Sequence, residues 1–126
     1  MIHLDTHVVA WLYAGAVERI PPGVLRRIDQ GALGISPMVE LELQYLYEIG
    51  RTRSPGREVV ADLAMRIGLT RSELAFVDVV ERAASLGWTR DPFDRIIVAT
   101  AIADGCGLIT CDERIRANFM GAWWAA

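Results

Sequence analysis

Met1-Ile2-His3-Leu4-Asp5-Thr6-His7 reads as a short buried strand that runs directly into a helix, expected from His7 to about Ala14, with an acid at the junction. Working outward, the turn-forming Pro21-Pro22-Gly23 opens a second helix through about Asp29, and Gly31 and Gly34 bracket its end. Leu33 to Ile35 is a second candidate strand. Ser36 then caps, and Pro37 begins, a helix whose apolar positions Met38, Leu41, Tyr45, Leu46 and Ile49 follow the 3.6 period until Gly50. Arg51 to Gly56 is a polar loop, Arg57 to Ile67 an amphipathic helix stopped by Gly68, and Leu74 to Val77 a further strand candidate before a helix ending at Gly87. Arg90-Asp91-Pro92-Phe93-Asp94 is a helix start, with Asp91 at the cap and Pro92 in the first turn, leading into the apolar Ile96 to Ala103. Leu108-Ile109-Thr110 is a buried strand, and Asp112 begins a last short helix. Strands alternating with helices predict an α/β fold: a mostly parallel sheet covered on both faces, with ligands just beyond the strands' C-terminal ends.

At 126 residues and 52% apolar content, with no repeat or long linker, the chain is expected to form one domain from 1 to 126. Its longest apolar runs fall well short of the roughly 18 residues of a membrane helix, and Met1 to Asp5 lacks a secretory signal's basic stretch. A soluble, cytoplasmic protein is the expectation. Cys106 and Cys111 lie in one short segment without the paired spacing of a metal site, and read as small buried thiols in a reducing compartment. A net charge of -3 does not favour a nucleic-acid partner unless positive charge is supplied locally. All 13 basic residues are Arg, which suits forked contacts to phosphate.

Asp5 and Asp112 follow strands, where such a sheet places chemistry, but either alone could be a helix cap. Asp94 could likewise complete a capping box with Asp91. Glu42 falls on the stripe of Met38, Leu41, Tyr45 and Ile49, where an isolated carboxylate is costly to bury and needs an Arg, a proton or a shared cation. Glu40 points to the other side with Gln44 and Tyr47, as a solvated residue. Carboxylates converging on one point repel each other, and such a cluster persists mainly around a divalent ion. Oxygen ligands favour Mg²⁺ or Mn²⁺ over zinc. Phosphodiester hydrolysis is the natural chemistry of such a centre.

Four blocks now resemble a known family: Leu4-Asp5-Thr6-His7, Ser36 to Leu43, Asp91-Pro92-Phe93-Asp94-Arg95-Ile96-Ile97 and Leu108-Ile109-Thr110-Cys111-Asp112. In that order, across essentially the whole chain, they resemble the PIN-domain ribonucleases, and among them the VapC toxins of prokaryotic toxin-antitoxin pairs. The resemblance implies a three-layer α/β/α domain with a short, mostly parallel sheet, and metal ligation by Asp5, Glu42 and Asp94, with Asp112 as a fourth acid. Thr6, Thr110 and Arg95 would be supporting residues, and Asp91 a cap. Glu40 stands where the family has an apolar residue. The implied activity is Mg²⁺-dependent cleavage of structured RNA such as tRNA or rRNA, halting translation, with a VapB-type antitoxin as inhibitor and a homodimer as the assembly. Trp11, Tyr45, Leu46 and Tyr47 are candidates for groove or interface positions.

Three other readings compete. A zinc site at His3 and His7 is disfavoured because one lies on a strand and the other on the next helix. An aspartyl-phosphate phosphatase wants a second Asp where His7 stands, and a receiver domain needs a Lys that this chain lacks. Outside enzymology, an idle binding module could keep the same fold.

Overall fold

The computed structural model describes residues 1–124. Three-residue strands β1 (Ile2–Leu4), β2 (Leu33–Ile35) and β4 (Gly107–Ile109) form the middle of the sheet, and two-residue strands β3 (Thr70–Arg71) and β5 (Ala122–Trp123) its edges. The order is β3-β2-β1-β4-β5, and every recorded pairing is parallel. Ile2 lies opposite both Leu33 and Gly107, so the central strand is held on both sides. From β1 the chain builds outward to β2 and β3, then returns to the other side of β1 for β4 and β5. This reversal opens a crevice beyond the C-terminal ends of β1 and β4, the place where open parallel sheets bind ligands.

Seven helices among the described residues cover the sheet: α1 (Thr6–Ala14), α2 (Pro22–Ile28), α3 (Pro37–Glu48), α4 (Gly56–Ile67), α5 (Phe76–Ala84), α6 (Pro92–Ala103) and α7 (Glu113–Asn118). With their layers on the two faces, the domain is the three-layer α/β/α arrangement. Leu4, Ile35, Leu108 and Ile109 of the sheet join Val8 and Val9 of α1, Val39 and Leu43 of α3 and Ile97 of α6 in one core. Each contributes about 1.5–3 kcal/mol by leaving water. Gly56 begins α4 against α3 so closely that a Cβ there would lie 2.3 Å from the Glu40 carbonyl oxygen. Its N–H donates to Gln44 Oε1 at 3.1 Å, fastening the two helices.

Several expectations are corrected. Gly34 does not bracket a helix: it sits within β2, where a Cβ would meet Met1 Sδ at 2.9 Å and the His3 ring at 3.3 Å. The strand expected at Leu74 to Val77 lies earlier, at Thr70–Arg71, because buried Leu69 anchors that segment while Phe76 and Val77 already belong to α5. On α3 the buried stripe is Val39 and Leu43, whereas Leu41, Tyr45 and Ile49 are exposed. Apolar residues occur on both sides of this helix, so periodicity alone could not select the face in contact with the core. The two cysteines are free and half-buried rather than buried. The short 3₁₀ turn Val17–Arg19 and strand β5 had no clear sequence signal.

Candidate active site

Asp5 stands at the head of α1, directly after β1, and is 7% exposed. Its Oδ1 accepts the Thr6 N–H at 2.8 Å, and its Oδ2 accepts the Thr110 hydroxyl at 2.5 Å, from the residue following β4. The Thr6 hydroxyl turns the other way and donates to Glu42 Oε1 on α3. Two threonines thus aim two acids from different elements. Burial pushes the carboxyl groups of both Asp5 and Glu42 above their ordinary range, against the pull of those hydrogen bonds.

Asp94 lies half-buried in the first turn of α6. The capping box that could have engaged it does not form: Asp91 Oδ1 accepts the N–H groups of Phe93 and Asp94, and the Asp91 N–H donates to Thr89 Oγ1. Among the described residues, nothing donates a hydrogen bond to the Asp94 carboxyl. Its pKa is pushed up to about 7, first by burial and then by the negative charges of Asp91, Asp5, Asp112 and Glu42. Asp112 caps α7 by accepting the Ile115 N–H at 2.9 Å, and the Thr110 hydroxyl accepts its own N–H. The acids predicted from the sequence therefore lie within electrostatic reach of one another.

The fit to a hard divalent cation follows from the donors: several carboxylates, one of them half-buried without a hydrogen-bond donor, and no preference for nitrogen or sulfur ligation. Among the described residues no three of these side chains stand ready-gathered as a ligand sphere.

Other residues depart from the sequence reading. Glu40 is not simply solvated, because its carboxylate takes the Arg71 guanidinium. Arg95 does not reach the acids; its Nε donates to the carbonyls of Leu86 and Thr89 and braces the turn before α6. Asp91 caps as expected, yet it is also the largest charge acting on Asp94, a proximity readable from the DPFD spacing at a helix start. His3 is buried against Asp104 at 2.8 Å, while His7 is exposed beside Asp5 and Glu42 and favours their ionised forms. The two histidines do not converge.

The model of the PIN domain matches residues 2–118. The chain belongs to the PIN-domain family. A relative named Ribonuclease VapC22, from Mycobacterium tuberculosis (strain ATCC 25618 / H37Rv), is 28% identical over 121 residues, which cover 91% of this chain and 89% of the relative. Among solved structures, VapBC2 from Rickettsia felis, bound to a DNA fragment from their promoter, superposes with a TM-score of 0.66 at 18% identity, covering 98% of this chain and 99% of that one. A toxin-antitoxin complex from Klebsiella pneumoniae gives 0.62 at 20% identity, covering 98% and 96%. These superpositions show the PIN fold that the four sequence blocks led us to expect.

Proposed function

We propose that this PIN domain is a divalent-metal-dependent endoribonuclease and the toxin of a VapBC-type pair, cutting structured RNA such as tRNA or rRNA and thereby stopping translation. The observation that carries the reading is the grouping of Asp91, Asp5, Asp112 and Glu42 around half-buried Asp94, whose pKa is pushed up to about 7 first by burial and then by those four charges. A fold has little structural reason to gather that much negative charge beyond the strand ends unless a cation neutralises it. The name of the mycobacterial relative and the toxin-antitoxin neighbours support the same assignment.

Asp5, Glu42 and Asp94 would hold the ion, Mg²⁺ or in its place Mn²⁺, with Asp112 as the fourth acid. When bound, such an ion lowers the pKa of water and stabilises charge on a phosphoryl group. Thr110 and the Thr6 N–H orient Asp5, and the Thr6 hydroxyl orients Glu42, so neither carboxylate must be ordered at the moment of reaction. Asp94 loses its proton near neutrality and adds charge where the cation would bind.

A VapB-type antitoxin is the proposed inhibitor. A homodimer is the proposed assembly, supported by an apolar cleft of about 340 Å³ where Met38 and Leu41 face Leu74 and Phe76. No helix among the described residues is long and apolar enough to cross a membrane; an RNA target places the work in the cytoplasm.

The test is cleavage of total RNA by the purified chain with Mn²⁺, with Mn²⁺ plus chelator, and by Asp5→Asn. Cutting that needs the metal and disappears in the variant supports the reading. Cutting that survives both treatments overturns it, and no cutting under any condition leaves the fold as a binding module.

A further inference from the structure

A second cleft, of about 790 Å³, runs between α1 and the loop joining α3 to α4. His7, Trp11, Arg19, Arg51 and Arg53 are among its walls, and no Asp or Glu is. In a chain of net charge -3, this is a sharp local reversal of sign. Arg19, Arg51 and Arg53 are exposed, and among the described residues none of them pairs with a carboxylate. Three uncompensated guanidiniums on one cleft form the electrostatic footprint of a polyanion.

The walls also carry aromatic surface and unused hydrogen-bonding capacity. His7 and Trp11 lie 6.1 Å apart as a tilted pair, and the Arg19 guanidinium sits 5.9 Å from the Trp11 ring. The Thr52 hydroxyl, in the same wall, is shielded from solvent and has no partner among the described residues. Tyr13 and Ser54 share a hydrogen bond of 3.0 Å that ties the arginine-bearing loop to α1. One wall of the cleft borders the head of α1, since His7, which lines it, lies in the first turn of the helix that Asp5 caps and Thr6 begins.

We infer that this cleft is the track for a single-stranded segment of the RNA substrate, with Arg51, Arg53 and Arg19 on its phosphates and the His7–Trp11 pair beside its bases. Sequence-tolerant binding of single strands uses this combination of cationic groove and aromatic platform. The volume lies within the range of ligand pockets and the walls are preformed. A strand held there is delivered to the carboxylates by way of His7, while the acids themselves, which repel phosphate, need contribute nothing to affinity. The inference rests on the ribonuclease reading and adds to it where the substrate lies.

The experiment uses the full chain silenced by Asp5→Asn and a labelled single-stranded RNA oligonucleotide, with binding followed by fluorescence anisotropy across a salt series. In that background Arg51→Ala with Arg53→Ala should weaken binding at least about tenfold and flatten the salt dependence by roughly 1 to 2 units of slope. Trp11→Leu should weaken it about tenfold while Trp11→Phe retains it. Arg66→Ala, which removes a charge outside the cleft, serves as the control, and an unchanged thermal melt shows that each variant is folded. If the double arginine variant binds with wild-type affinity and salt slope while the unsilenced chain still cuts RNA with Mn²⁺, the track is wrong and the ribonuclease reading stands. Unchanged RNA binding together with lost co-purification of the neighbouring gene's product would assign the cleft to a protein segment and likewise overturn it. If the unsilenced chain neither binds nor cuts RNA, both fail.

Discussion

The Thr6 hydroxyl donates to the Glu42 carboxylate across 36 residues of sequence, while the N–H of the same threonine donates to Asp5. One residue at the start of α1 thereby fixes two acids that the chain supplies from different helices. Thr6→Val keeps the shape and the N–H but removes the donor that holds Glu42 down, so the Glu42 pKa should rise further. Loss of such a supporting hydrogen bond is expected to weaken Mn²⁺ binding by about 10- to 100-fold, as read by isothermal titration. Affinity within a factor of two or so of wild type would remove Thr6 from the site.

Glu42 and Glu40 should respond differently to the same change. Glu42→Gln removes a half-buried carboxylate beside Asp5 and should abolish measurable Mn²⁺ binding. Glu40→Gln breaks only the partly exposed pair with Arg71, worth about 0.2–1 kcal/mol of stability, and should leave binding intact. Equal effects on binding would refute the assignment.

The same pair shows how far the sequence could be read. Glu42 does turn inward to Thr6, as its singling out required, but the stripe used to single it out, Met38 with Leu41, Tyr45 and Ile49, is largely exposed. The helix packs through Val39 and Leu43, and Glu42 reaches inward because it borders that face and finds Thr6. Strand β1, the cap at Asp91 and the junction acid Asp5 were legible because each has a local cause: an apolar run, a Pro at the first turn, a strand meeting a helix. Strand β3 was not, since two exposed residues at a sheet edge are defined by pairing with Gly34 and Ile35 and carry no apolar pattern of their own. The Arg95 and Glu40 partners were hidden for the same reason. Arg95 bonds to main-chain carbonyls and Glu40 to an arginine 31 residues away, neither of which composition or period encodes.

Gly56 should tolerate no side chain. In Gly56→Ala the new methyl would press on the Glu40 carbonyl and the Gln44 backbone nitrogen, which cannot move without shifting α3. A loss of about 1–3 kcal/mol is expected from forced overpacking, visible as a lower melting temperature. An unchanged melt would contradict the close approach of the two helices.

Stability should depend on pH through Asp94. The folded chain titrates this group at about 7, against 3.8 for the ordinary carboxyl, so between those values the folded state keeps a proton that the unfolded state has released. The resulting stabilisation is complete below the lower value and is lost as pH rises through the upper one. Buried His3 shifts downward and works in the opposite direction near its own ordinary value, so the comparison is made against Asp94→Asn, which retains His3. From about pH 6 to about pH 8 the metal-free wild type should lose melting temperature relative to that variant. Parallel curves would show that Asp94 is not under the charge pressure described.

Joint binding of one divalent ion by Asp5, Glu42 and Asp94 is measured without relying on any RNA by calorimetric titration of Mn²⁺ into wild type and Asp94→Asn. Wild type should bind saturably and more tightly as pH rises through about 7, the value to which the Asp94 pKa is pushed, and the variant should show no detectable binding. Equal binding by both chains, or none by wild type, would contradict joint binding.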